Sequence, residues 1–89
     1  MTIASEIVRF RDGTCLSAFL KAESIPDRPP FILSLSVHAA ETDIVLARVE
    51  RIFIADDEAQ ALDRFEPLRA RVKGLEHLLW PPAALFDRI

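Results

Sequence analysis

The sequence predicts an α+β domain in which an antiparallel sheet carries two helices on one face. Three observations predict it. Several short stretches alternate apolar and polar residues with the two-residue period of strands, and two others repeat apolar residues at helical spacing. Turn and proline signals separate them at Asp12-Gly13, at Ser24 to Pro30 and at Pro81-Pro82. The length, 89 residues, suits one hydrophobic core and not two. The chain is thus expected to be one domain, residues 1–89, with its core at about 5–80 and an apolar tail at 81–89.

Ser5 to Arg11 places Val8 and Phe10 on one side and Arg9 and Arg11 on the other, a strand pattern that ends at Asp12-Gly13. Thr14 to Glu23 has the choice of returning as the second arm of a hairpin or forming a helix. Its Ala, Leu and Lys, the spacing of Leu16, Phe19 and Leu20, and Thr14 as N-cap favour a short helix. Ser24 to Pro30 is a connector, because its three prolines lack amide donors and disfavour helix in the residues before them. Phe31 to His38 is the clearest strand, with Phe31, Leu33, Leu35 and Val37 opposite Ile32, Ser34, Ser36 and His38. The prolines before it suggest a sheet edge.

Asp43 to Ala55 also fits a helical stripe, but its β-branched and aromatic residues predict a strand, placed centrally because it is apolar on both sides. Asp56-Asp57-Glu58 then opens a helix with the negative charge its N-terminus favours. Arg69, Arg71 and Lys73 close it before Gly74. Ala61, Phe65, Leu68 and Val72 form its buried stripe, and Pro67 predicts a kink or brief break. Leu75 to Trp80 reads as a last strand and Ala83 to Ile89 as one helical turn. The resulting order, β-α-β-β-α-β, is that of the ferredoxin-like sandwich.

Hydrophobic residues make up 51% of the chain, high for a domain that leaves roughly 40% of its unfolded surface exposed. Some of that surface is expected to meet another chain, and a homodimer is the commonest means. The net charge of −3 argues against a nucleic-acid partner, which requires a basic field. No apolar run approaches the ~20 residues of a membrane span, so no membrane partner is expected. Cys15 is the single cysteine and Met1 to Phe10 shows no charged-then-apolar leader, which predicts a cytoplasmic protein.

The run Ile32-Leu33-Ser34-Leu35-Ser36-Val37, followed by Glu41-Thr42-Asp43 and a strand ending before Asp56-Asp57-Glu58, resembles the second half of ACT domains, particularly those in the small regulatory subunits of acetolactate synthase. Ile7-Val8-Arg9-Phe10 with Asp12-Gly13-Thr14-Cys15-Leu16-Ser17 resembles that family's first strand, glycine turn and first helix. The resemblance implies a non-catalytic, dimeric module that binds a small ligand, commonly an amino acid. Carried over by position, it implies a ligand site at Asp12, Gly13 and Thr14 with Phe31 and Ile32 opposite. Pro30 and Phe31 stand where many family members have an asparagine.

Each candidate site also has a plain structural explanation. Asp12-Gly13-Thr14 is a turn feeding a cap. His38 shares a strand face with Ser34 and Ser36 by simple alternation, and a nucleophilic site needs an orienting acid and oxyanion donors as well. His38 and His77 lie far apart without metal-ligand spacing, so no catalytic residue, metal or cofactor is predicted. Arg64, Arg69, Arg71 and Lys73 are balanced by Asp63, Glu66 and the acidic helix start, which describes a solvated helix face. Trp80, Leu85 and Phe86 are the expected partner-binding residues, because a terminal segment this apolar seals its own core or docks on a partner.

The leading expectation is a dimeric regulatory module that binds a small ligand or a larger protein partner and is not an enzyme. The alternatives are a pure interaction subunit, of inhibitor or antitoxin type, and a small dimeric enzyme using His38 or His77 as its acid-base group.

Overall fold

The computed structural model describes residues 1–23, 30–39, 42, 44–76 and 78. Four strands come first and one helix follows: β1 (Thr2–Arg9), β2 (Cys15–Ala22), β3 (Phe31–His38), β4 (Val45–Phe53) and α1 (Glu58–Lys73). Each strand pairs antiparallel with the next, giving a meander with β1 and β4 at its edges. This overturns the expected β-α-β-β-α-β order. The described residues contain one helix, so the ferredoxin-like sandwich expected from that order is not the fold.

The main correction lies at residues 14–23, expected as a helix and found as β2. Leu16, Phe19 and Leu20 fit a helix, but Leu16, Ala18 and Leu20 fit a strand face equally well, and pairing partners on both sides decide the matter. The Asp12-Gly13 turn supplies the hairpin. Phe10 N–H donates to the Thr14 carbonyl at 2.9 Å, Gly13 N–H donates to the Phe10 carbonyl at 3.0 Å, and Gly13 takes φ 91°, a conformation glycine adopts without strain.

Three smaller expectations also change. β3 is interior rather than an edge, because Pro30 lies just outside the strand and removes no ladder donor from it. β4, expected to be central, is an edge strand. Leu75 to Trp80, expected as a strand, begins as a turn. There Leu75 N–H donates to the Val72 carbonyl at 3.0 Å and Leu78 N–H to the Leu75 carbonyl at 3.0 Å, a tightened continuation of the helix. His77, Leu79, Trp80 and the tail 81–89 lie outside the described residues.

The helix is the best anticipated element. Asp57 caps it by accepting from Gln60 N–H at 2.8 Å, while the Gln60 side chain accepts from Asp56 N–H at 2.8 Å. Its buried stripe is Ala61, Phe65, Leu68 and Val72, as the spacing requires. The expected break at Pro67 is absent from the continuous run Glu58–Lys73. Pro67 and Asp63, whose carbonyl loses its intrahelical partner, are both exposed, which puts that loss on the solvent side of the helix.

The stripe packs mainly over the β1-β2 hairpin and closes a core with Val8, Leu16, Leu20, Leu33, Leu35 and Phe53. Strand pairing aligns these side chains on one face, since Val8 faces Leu16, Leu16 faces Val37 and Leu20 faces Leu33. Among the described residues no helix packs on the sheet's other face. Two basic residues of α1 are occupied locally: Arg69 pairs with Glu66 at 2.8 Å, and the Arg64 guanidinium lies 4.7 Å from the centre of the Phe53 ring.

Candidate functional site

The helix-free face is ordered by register. Crossing the sheet from β1 to β4, one row reads Ile7, Ser17, Ser36, Arg48; the next towards the hairpin turn reads Arg9, Cys15, His38, Val45. A third row, on the other side of the first, reads Ser5, Phe19, Ser34, Glu50. Polar groups thus occupy the middle of the face. Ser17, Ser34 and Ser36 are buried there, on the face away from α1.

Ser17, Phe19, Ser36, His38, Val45 and Arg48 line an open hollow of about 300 Å³ on this face. A shift in register between Val37 and His38 sets Val45, rather than Leu46, opposite His38 and so forms one wall. Ser17 Oγ lies 3.2 Å from His38 Nε2, and His38 Nδ1 lies 3.4 Å from the Ala39 carbonyl oxygen. The two contacts are compatible with one another: Nδ1–H donates to the carbonyl, and Nε2 accepts a hydrogen bond from the Ser17 hydroxyl. Phe19 supplies an aromatic wall and Arg48 a cation, exposed on the edge strand. Among the described residues Arg48 has no carboxylate within ion-pair distance.

The Ser17-His38 contact has the first geometry of an activated serine. Its surroundings do not complete the set. The group orienting His38 is a backbone carbonyl instead of a carboxylate, Ser17 is only 3% exposed, and both strands that hold the pair are interior, with their backbone amides engaged in the ladder. The arrangement suits holding a polar group in place. Among the described residues no three of His, Cys, Asp and Glu converge to hold a metal.

The residues carried over from the resemblance do not come together. Asp12, Gly13 and Thr14 lie in the β1-β2 turn, beside the sheet end where Cys15 pairs with His38. Phe31 pairs with Ala22 at the opposite end, seven residues along β2 and about 24 Å away. Phe31 also faces the helix side and stacks on Phe53 at 5.7 Å between ring centres, whereas Ile32 faces the other way. Trp80, Leu85 and Phe86 lie outside the described residues.

The Asp12 turn has a structural task of its own. Its Oδ1 accepts from Thr14 Oγ1 at 2.6 Å and from Thr14 N–H at 2.9 Å. These bonds favour the charged carboxylate and lower its pKa from the ordinary 3.8, the side-chain bond contributing most. A depressed value stabilises the fold above the unfolded pKa, and that contribution is lost as pH falls through the folded one. NMR titration of Asp12 is expected to give a midpoint below 3.8, and Thr14→Val should move it back up.

Sequence reasoning named His38 and Ser36 but missed Ser17, Phe19, Val45 and Arg48 as companions. The usable signal was the alternation Cys15, Ser17, Phe19, Lys21, which a helical reading of that stretch dissolves. No helix among the described residues is long and apolar enough to cross a membrane. No protein-family model, curated protein or solved structure matches this chain, so its fold and its sheet-face hollow rest on its own residues.

Proposed function

We propose that the protein is a non-catalytic binding module that takes a small carboxylate-bearing ligand, an amino acid among the candidates, in the hollow on the helix-free face of its sheet. One observation carries this reading: the hollow joins a cation, a histidine and two buried serines to apolar walls on a face that no helix covers among the described residues. Its volume lies at the small end of the range for ligand sites. Arg48 supplies the charge and two-pronged geometry that a carboxylate requires. Ser36 and the Ser17-His38 pair supply hydrogen-bonding groups, while Phe19 and Val45 take the apolar part of the ligand.

The same face supports a second reading, docking of a larger protein partner, because Ile7 and Ile52 flank the polar centre at 58% and 71% exposure. The two readings separate in one experiment. A panel of amino acids and other small carboxylic acids is screened by thermal unfolding. A ligand present at about 100 times its Kd stabilises the fold by about 2.7 kcal/mol and raises Tm by roughly 10 °C or more. Arg48→Gln should weaken that response roughly tenfold to a hundredfold in Kd. A panel that leaves Tm unchanged throughout rejects the small-ligand reading and leaves the partner reading standing.

A further inference from the structure

β4 is an edge strand whose exposed side chains form a self-complementary series. From Ile44 the series runs Val45, Leu46, Ala47, Arg48, Val49, Glu50, Arg51, Ile52, Phe53, Ile54, and every one of these except Val49 and Phe53 is exposed. Edge strands present unpaired backbone donors and acceptors along their outer side, and proteins blunt them or use them. Among the described residues β4 pairs with β3 alone, and no strand lies along its outer side.

We propose that two copies of the chain pair through β4, antiparallel across a two-fold axis at Val49, to make a continuous eight-stranded sheet. An antiparallel two-fold pairing sets each residue opposite its mirror position about the axis, on the same face of the sheet. With the axis at Val49, Arg48 faces Glu50 of the second copy, and Glu50 faces its Arg48. Val49 meets Val49. Further out, the register shift at Val45 breaks the strict mirror pairing, and Ile44, Leu46, Ile52 and Ile54, 58–71% exposed in the single chain, gather at the two ends of the joint.

The alternatives are worse by simple charge counting. An axis at Arg48 sets two arginines against each other, and an axis at Glu50 sets two carboxylates against each other. An axis at Arg51 also opposes two arginines. Val49 is the position that matches opposite charges and gives the longest overlap of the strand with itself. Arg48 has donors enough to meet both Glu50 of the second copy and a ligand carboxylate in the adjoining hollow.

The test combines sedimentation equilibrium with charge reversal at two exposed positions, circular dichroism confirming the fold of each variant. The wild-type chain is expected to be a dimer at micromolar concentration. Arg48→Glu and Glu50→Arg, each placing like charges opposite one another twice per dimer, should weaken association on the order of tenfold or more. The double variant R48E/E50R restores the complementarity and should restore the dimer. A monomeric wild type, a dimer indifferent to the single reversals, or a double variant as weak as the singles each overturns the proposal. The double variant also removes the cation from the hollow, so a restored dimer that no longer responds to carboxylates separates the fate of this pairing from that of the ligand reading.

Discussion

Phe65→Ala is expected to destabilise the protein by about 3–5 kcal/mol. Phe65 is fully buried at the middle of α1, and its ring carries the Arg69 guanidinium 5.1 Å from its centre. The helix has little else to hold it. It packs mainly on the β1-β2 hairpin, and a 16-residue helix with an internal proline is marginal in water without a docked face. Truncation removes the largest side chain of the stripe and leaves a hole that Ala61 and Val72 are too small to fill. A domain of 89 residues has roughly 5–13 kcal/mol of total stability, so the loss is a large fraction of the whole. Urea unfolding of variant and wild type measures it directly. A shift under about 1 kcal/mol would mean that the helix does not rest on the sheet through this residue.

Leu35→Ala should cost about 2–5 kcal/mol for a different reason. Leu35 is fully buried on the interior strand β3, flanked in the ladder by Ala18 and Val49. Neither neighbour is long enough to close the space, and the ladder on both sides prevents the strand from collapsing inward. The upper half of that range is expected. The adjacent position gives the contrast. Ser34 points to the other face, where its hydroxyl donates to Glu50 at 3.5 Å, and Ser34→Ala should cost under about 1.5 kcal/mol. Such different costs at neighbouring positions reflect a large apolar side chain packed on the α1 side and a small, hydrogen-bonded one on the opposite face. Equal costs would contradict that division.

The parts of this fold that were legible in the sequence are those where local pattern and tertiary contact agree. Phe31 to His38 alternates without ambiguity, and it forms β3 with those bounds. The stripe Ala61, Phe65, Leu68 and Val72 and the acidic start at Asp57 specify α1, and Pro67 does not interrupt it because its consequences fall on the exposed side. Residues 14–23 were misread because Leu, Ala and Lys favour a helix by themselves, whereas in the folded chain the neighbours across the ladder, Val8 on one side and Val37 on the other, determine the outcome at Leu16. That single misreading turned a meander into a two-helix sandwich.

The candidate site was lost by the same step. Ser17 and His38 stand twenty-one positions apart and meet because β2 and β3 are adjacent in the sheet. Arg48 joins them through the β3-β4 register, which no local pattern encodes. What composition did convey was the surplus of apolar surface. Structure places much of it on and around β4, at Ile44, Leu46, Ile52 and Ile54, with Ile7 on the far edge of the same sheet. The proposed function accordingly lies on a sheet face and its edge, while at the glycine turn Asp12 and Thr14 bond to each other.

The central claim is that the helix-free face is the working surface, and residue-by-residue NMR titration with the amino-acid and carboxylic-acid panel tests it most directly. The account predicts saturable shifts concentrated at Ser17, Phe19, Ser36, His38, Val45 and Arg48, with the buried stripe of α1 unmoved. Shifts gathered at Asp12 to Thr14 or along the helix, with that hollow silent, would contradict it.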